Sequence, residues 1–182
     1  MVRKVTVREC IEARNGIEGI QQPGRRGPNG EVYPAVIIPG IKGNLPANLS
    51  YKLGRLSTDL KPIIQEYQKA AEELRKKYSE DEIKEKYLIE KEVGDKIQKI
   101  VDPARQTEYQ KEVNELREAY QKEINKLLDI EEERDFYWVF LDDFRDPDKL
   151  DQWLKVDSES LRLITPFLIE EKEEETKPKK KG

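Results

Sequence analysis

Residues 53–74, LGRLSTDLKPIIQEYQKAAEEL, decide the fold class: Leu53, Leu56, Leu60, Ile63, Tyr67, Ala70 and Leu74 recur at alternating steps of three and four. An α-helix of 3.6 residues per turn carries all seven side chains on one face. Pro46 suits the opening turn, where a backbone N–H would have no intrahelical partner. Pro62 falls inside the stripe and should bend the helix near Thr58, because it removes the hydrogen bond to that carbonyl. Tyr109, Val113, Leu116, Tyr120 and Leu127 form a second stripe, widened by Ile124 and Leu128, behind Asp102 as N-cap and Pro103 at the first helical position. Each seam runs for about three heptads, short for a free-standing coiled coil. The sequence therefore predicts an antiparallel helical hairpin, 46–78 against 103–129, within a mainly α fold.

The remaining elements are read outward from this pair. Thr6-Val7-Arg8-Glu9 fits a capping box, with Val5 and Cys10 at the flanking staple positions, and opens an amphipathic helix over 7–18. Cys10 lies on its apolar stripe and reads as a buried small hydrophobe. Between the long helices, residues 87–102 (YLIEKEVGDKIQKIVD) fit a small β-hairpin turning at Gly94-Asp95, or further helix ending at Val101. Phe136–Leu141 is a run of large apolar residues that fits a strand buried on both faces. Residues 160–169 suggest a last short helix kinked at Pro166, so strand and helix together would cap the hairpin. Residues 1–169 are expected to form one helical domain. Residues 170–182, five Glu and then mostly Lys, read as a disordered charged tail.

Residues 21–44, QQPGRRGPNGEVYPAVIIPGIKGN, hold five of the ten Gly and four of the ten Pro. Such punctuation predicts a loop without regular structure, and long loops in small domains are often functional. Val36, Ile37 and Ile38 should lie extended between Pro34 and Pro39, and Arg25 and Arg26 form a basic tip. Arg and large apolar groups are the types in which binding energy concentrates, so these five residues are the candidate partner site. The outer faces of the helical hairpin should offer mainly Glu and Lys, which make weak, screened contacts.

Composition narrows function more sharply than fold. Among 182 residues, Lys and Arg number 34 and Asp and Glu 38, with no His and one Cys. The lack of His excludes His-based nucleophile pairs and His metal ligands. A single Cys excludes an internal disulfide and a Cys-cluster zinc site. No phosphate-binding, dinucleotide or hydrolase motif is found, so the chain is expected to be non-enzymatic, with neither cofactor nor metal. Asp142, Asp143 and Asp146 could hold Mg²⁺ through oxygen ligands, but acidic residues before a helix start are more simply explained by its dipole. The Glu131–Glu133 run and Asp135 read as solvated charge. Tyr51, Tyr67, Tyr78, Tyr109 and Tyr120 read as core or rim of the helices, ahead of base-stacking residues. No stretch reaches the about 20 apolar residues of a membrane span, and no signal segment follows Met1, so a soluble, intracellular protein is expected without a membrane partner. Glu, Lys, Ile and Tyr are abundant and Met occurs only at position 1, as in thermophile proteins.

The order TVRECIEARNGI, then NLPANLSYKLGRLSTDLKPIIQEYQKAAEELRKKY, then EYQKEVNELREAYQKEINKLLDIE, then an aromatic–aliphatic segment and a short helix, resembles a family of small uncharacterised proteins of tailed bacteriophages and prophages. The resemblance covers most of the chain outside the 21–44 stretch and the tail, which depart from the family pattern. It implies a viral origin, in the host cytoplasm or the virion, and transfers no catalytic residues. The expected function is thus contact with a viral or host protein, in virion assembly or host-factor modulation. The alternative is a nucleic-acid-associated accessory protein holding phosphates through Arg25, Arg26, Lys179, Lys180 and Lys181. An oligomer is compatible with this reading.

Overall fold

The capping box forms as the sequence requires: Thr6 N donates to Glu9 Oε2 at 2.7 Å and Glu9 N donates to Thr6 Oγ1 at 3.2 Å. Val5 and Cys10 are buried on either side of it. A computed structural model of the chain describes residues 3–26, 32–41, 45–93, 96–146 and 148–169. Its elements run β1 (Arg3–Thr6), α1 (Val7–Glu18), β2 (Ile20–Gln22), β3 (Arg25–Arg26), β4 (Val32–Tyr33), β5 (Val36–Ile38) and α2 (Ala47–Lys77). There follow α3 (Asp81–Tyr87), β6 (Leu88–Val93), β7 (Lys96–Val101), α4 (Gln106–Leu128), β8 (Glu131–Arg134) and β9 (Val139–Phe140). The chain continues through β10 (Arg145–Asp146), β11 (Lys149–Trp153), α5 (Ser158–Ile164) and β12 (Leu168–Ile169). The protein is mainly α, and among the described residues every sheet is a two-stranded ladder. Among them, too, no helix is long and apolar enough to cross a membrane.

Two compact units divide the span expected as one domain: residues 1–64 with 131–182, and residues 65–130. Helix α2 contributes to both, and its division falls just beyond Pro62, through which the helix continues.

In the first unit the α2 stripe is fully used. Leu49, Leu53, Leu56, Leu60 and Ile63 are at most 1% exposed. Side-chain bonds fix its sides: Ser57 Oγ donates to Glu18 Oε1 at 2.7 Å, and Asp59 Oδ2 accepts from Tyr137 N at 2.9 Å. Lys52 Nζ donates to both Asp143 oxygens at 2.6 and 2.7 Å, and Asp143 also accepts from Phe140 N. Asp157 caps α5 by accepting from Ser160 N at 2.8 Å, and that bond holds its carboxyl below the usual range. Helices α1 and α5 meet closely because Gly16 lacks a side chain. A Cβ there would stand 2.6 Å from the Ser160 carbonyl oxygen. The acidic run at 131–134 is mostly exposed, as expected, yet it is also a strand: β8 pairs antiparallel with β1, placing Lys4 3.4 Å from Glu131.

The second unit carries the helical hairpin. The C-terminal half of α2 and α4 run antiparallel, with Tyr78 against Tyr120 at 6.1 Å between ring centroids and Arg117 Nε on Glu80 at 2.7 Å. Residues 88–101 form the β-hairpin, in a register from Leu88↔Val101 to Val93↔Lys96; Gly94 and Asp95 lie outside the described residues. Asp102 accepts from Ala104 N and Pro103 opens the helix, through one 3-10 turn that precedes α4. Tyr87 is 2% exposed, under the Arg105 guanidinium at 4.4 Å, and its hydroxyl donates to Glu112 at 2.9 Å. Lys86 and Tyr87 together hold the Glu112 carboxyl below its usual range.

Three expectations are corrected. The stripe of residues 53–74 does not all enter the helical pair, because its first half closes the first unit. The continuous strand expected over 136–141 reduces to β9, parallel to β12, because the Tyr137 amide is taken by the Asp59 carboxylate rather than a neighbouring strand and Leu141–Phe144 tightens into a 3-10 turn; Phe136 and Val139 are nonetheless buried. The helix expected to continue through Pro166 ends at Ile164, and Thr165–Phe167 forms a 3-10 turn, since proline cannot donate into a continuing helix. The tail of 170–182 lies outside the described residues.

This division of α2 sets unequal costs. Leu60→Ala should destabilise by about 2–5 kcal/mol, the range for emptying a buried leucine site. Leu116→Ala, at a half-buried position, should fall below that range. Equilibrium denaturation of both variants checks the difference.

Candidate functional site

The expectation that residues 21–44 lack regular structure is corrected. β2 pairs antiparallel with β5, Ile20 opposite Ile38 and Gln22 opposite Val36. β3 pairs antiparallel with β4, Arg25 opposite Tyr33 and Arg26 opposite Val32. The two ladders share one register, so residues 20–26 and 32–38 make a single β-arm. Residues 27–31 lie outside the described residues.

Two glycines fix the arm's base. Gly19 and Gly40 have φ of +84° and +78°, in the region that disfavours a Cβ. They also touch: a Cβ on Gly40 would stand 2.5 Å from Gly19 N, and one on Gly19 would stand 2.8 Å from the Ile38 carbonyl oxygen. Just beyond, Ile41 N donates to the Gly16 carbonyl at 2.9 Å and its side chain is buried. Backbone contact and one apolar anchor therefore tie the arm to α1.

Beyond that base, two aliphatic side chains among those described are mostly exposed. Val32 is 71% exposed and Ile37 66%, while Ile38 is half-buried. Val36, Ile37 and Ile38 thus lie extended as expected, on one strand, with Arg25 and Arg26 on the same arm. Lys179, Lys180 and Lys181 lie outside the described residues. Each ladder is two-stranded, so among the described residues both strands keep an outer edge that no further strand of the sheet covers. Such an arm can take an added strand or seat its exposed aliphatic side chains in a partner's apolar pocket.

A second exposed feature of the first unit centres on Tyr51, read from the sequence as core or rim of the helices and here on the rim. Tyr51 is 61% exposed and stands edge-on to Tyr137 at 6.5 Å, while the Arg55 guanidinium lies 6.0 Å from the Tyr137 ring. The heptad spacing places Tyr51 beside the seam but cannot show Tyr137 arriving from a distant segment.

The three aspartates weighed as oxygen ligands each accept a hydrogen bond within the fold. Asp142 accepts from Arg145 at 2.6 Å, Asp143 is held by Lys52, and Asp146 accepts from Asp148 N at 2.9 Å. Among the described residues no three metal-ligating side chains come together. Burial, with the Glu132 carboxylate as a lesser cause, pushes the Cys10 thiol up to about 12, which disfavours the reactive thiolate. No family model, curated protein or solved structure matches the chain.

Base and surface of the arm should respond oppositely to substitution. Gly40→Ala should cost about 1–3 kcal/mol through strain and backbone clash. Ile37→Glu, on an exposed side chain, should stay within about 0.5 kcal/mol of the parent. Thermal melts of the two variants give the comparison.

Proposed function

We propose that this is a non-enzymatic viral protein that acts by protein–protein contact, in virion assembly or host-factor modulation, and that the β-arm is its contact element. The observation that carries the reading is the contrast along the arm: a base so close-packed that only glycine fits, below Val32 and Ile37 that remain mostly exposed. Exposed aliphatic groups gain little in water and much in a partner's pocket. The viral part of the proposal rests on the resemblance to tailed-phage proteins, and puts the chain in the host cytoplasm or the virion.

The test uses the full chain and its Ile37→Glu variant as baits in extracts of infected host cells, with and without nuclease and across a salt series. A protein retained by the parent, insensitive to nuclease and lost with Ile37→Glu, is the expected result. Retention that vanishes with nuclease and falls steeply with salt would replace this reading by phosphate binding through Arg25, Arg26 and the C-terminal lysines.

A further inference from the structure

The outer surface of the helical pair, expected to offer mainly charge, has an apolar groove in the second unit. Ala70 and Leu74 of α2, Leu127 of α4 and Ile130 just beyond it line a cavity of about 440 Å³. Leu74 and Leu127 are half-buried and Ile130 is 46% exposed. The shortage of cover is general to this unit, where the buried apolar residues among those described are Tyr87, Val113 and Ile124. Two helices side by side form a layer, and a layer of this kind is closed by a second one.

The rim of the groove identifies the second layer. Glu73 and Lys77 line it from α2, and Glu123 and Lys126 from α4. The helices are antiparallel, with Leu74 and Leu127 in one groove and Tyr78 against Tyr120. This register puts Glu73 level with Lys126 at one end and Lys77 level with Glu123 at the other. Lys77 indeed helps hold the Glu123 carboxyl down, behind the larger effect of Lys126 at 2.7 Å. The four charges thus alternate in sign around an apolar floor. Such a pattern is complementary to its own copy turned over. If the two-fold axis crosses the helices, Glu73 meets Lys77 of the other copy and Glu123 meets Lys126. If the axis runs along them, Glu73 meets Lys126 and Lys77 meets Glu123. In neither arrangement do like charges face each other.

We propose that this groove is a homodimer interface: a second copy of this chain covers Ala70, Leu74, Leu127 and Ile130, and the alternating rim makes the interface isologous. The proposal is independent of the arm.

Sedimentation velocity on the full chain should give twice the 21.4 kDa chain mass at about 100 µM, where even a modest interface is populated. Two rim variants, E73K/E123K and K77E/K126E, alter only the groove's charges, and circular dichroism verifies their folds. Each alone should dimerise at least about tenfold more weakly, because like charges now oppose. Mixed in equal amounts, the two should form a heterodimer at parental strength. A monomeric parent, rim variants that dimerise as well as the parent, or a mixture that stays monomeric would each overturn the proposal.

Discussion

One apolar stripe on one helix has to serve two cores. Helix α2 presents a continuous face from Leu49 to Leu74, and the first unit closes over its opening part completely, from Leu49 to Ile64. Each fully buried aliphatic side chain there contributes roughly 1.5–3 kcal/mol relative to exposure, so most of the stripe's stabilisation is used before Pro62 has been passed by a single turn. What remains, Tyr67, Ala70 and Leu74, is only half-buried. The second unit accordingly holds itself together by different means. Ring pairs at Tyr78–Tyr120 and Tyr87–Tyr109, and charge-assisted bonds at Glu80–Arg117 and Lys86–Glu112, flank a small core. Contacts of this kind orient helices well but leave apolar surface on the faces of the layer.

Close packing in the first unit shapes the arm in a related way. Gly16 lets α1 approach α5, Gly19 and Gly40 let the two arm strands start from touching backbones, and the Ile41 amide returns to the Gly16 carbonyl. Four constraints thus fall on one end of α1. They fix where the arm leaves the core while asking nothing of the side chains farther along it, of which Val32 and Ile37 are left mostly exposed. Rigidity at the base and apolar exposure beyond it suit a surface that binds without first having to order itself.

Features that are local in the chain are legible from the residues alone. The capping box at Thr6, the N-cap at Asp102 and the periodic stripes of α2 and α4 each depend on residues within a few positions of one another, and each forms where expected. The hairpin at 88–101 is legible as one of two alternatives. Pairings over long separations are not. β8 joins β1 across more than a hundred residues, and a run of three glutamates gives no sign of a strand partner. Periodicity likewise shows that a helix has an apolar face but not which core that face enters, so the division of α2 is hidden from it. The arm is a different case, because its signals are present. Gly19 and Gly40 flank the paired Ile20 and Ile38 almost symmetrically, with Gly and Pro spread over both sides of the stretch between. Taken as punctuation, these glycines and prolines suggest a loop; taken as a near-symmetric pattern, they mark a hairpin and its base.

Amide hydrogen exchange followed by mass spectrometry measures the unequal use of α2 most directly. Both halves are equally helical, so any difference in protection reports the core each half enters rather than its own hydrogen bonds. Peptides covering 49–64 should exchange slowly, near the rate of global unfolding, while those covering 67–77 should exchange much faster through local opening of the second unit. Uniform protection along the whole of α2 would contradict its division between two cores.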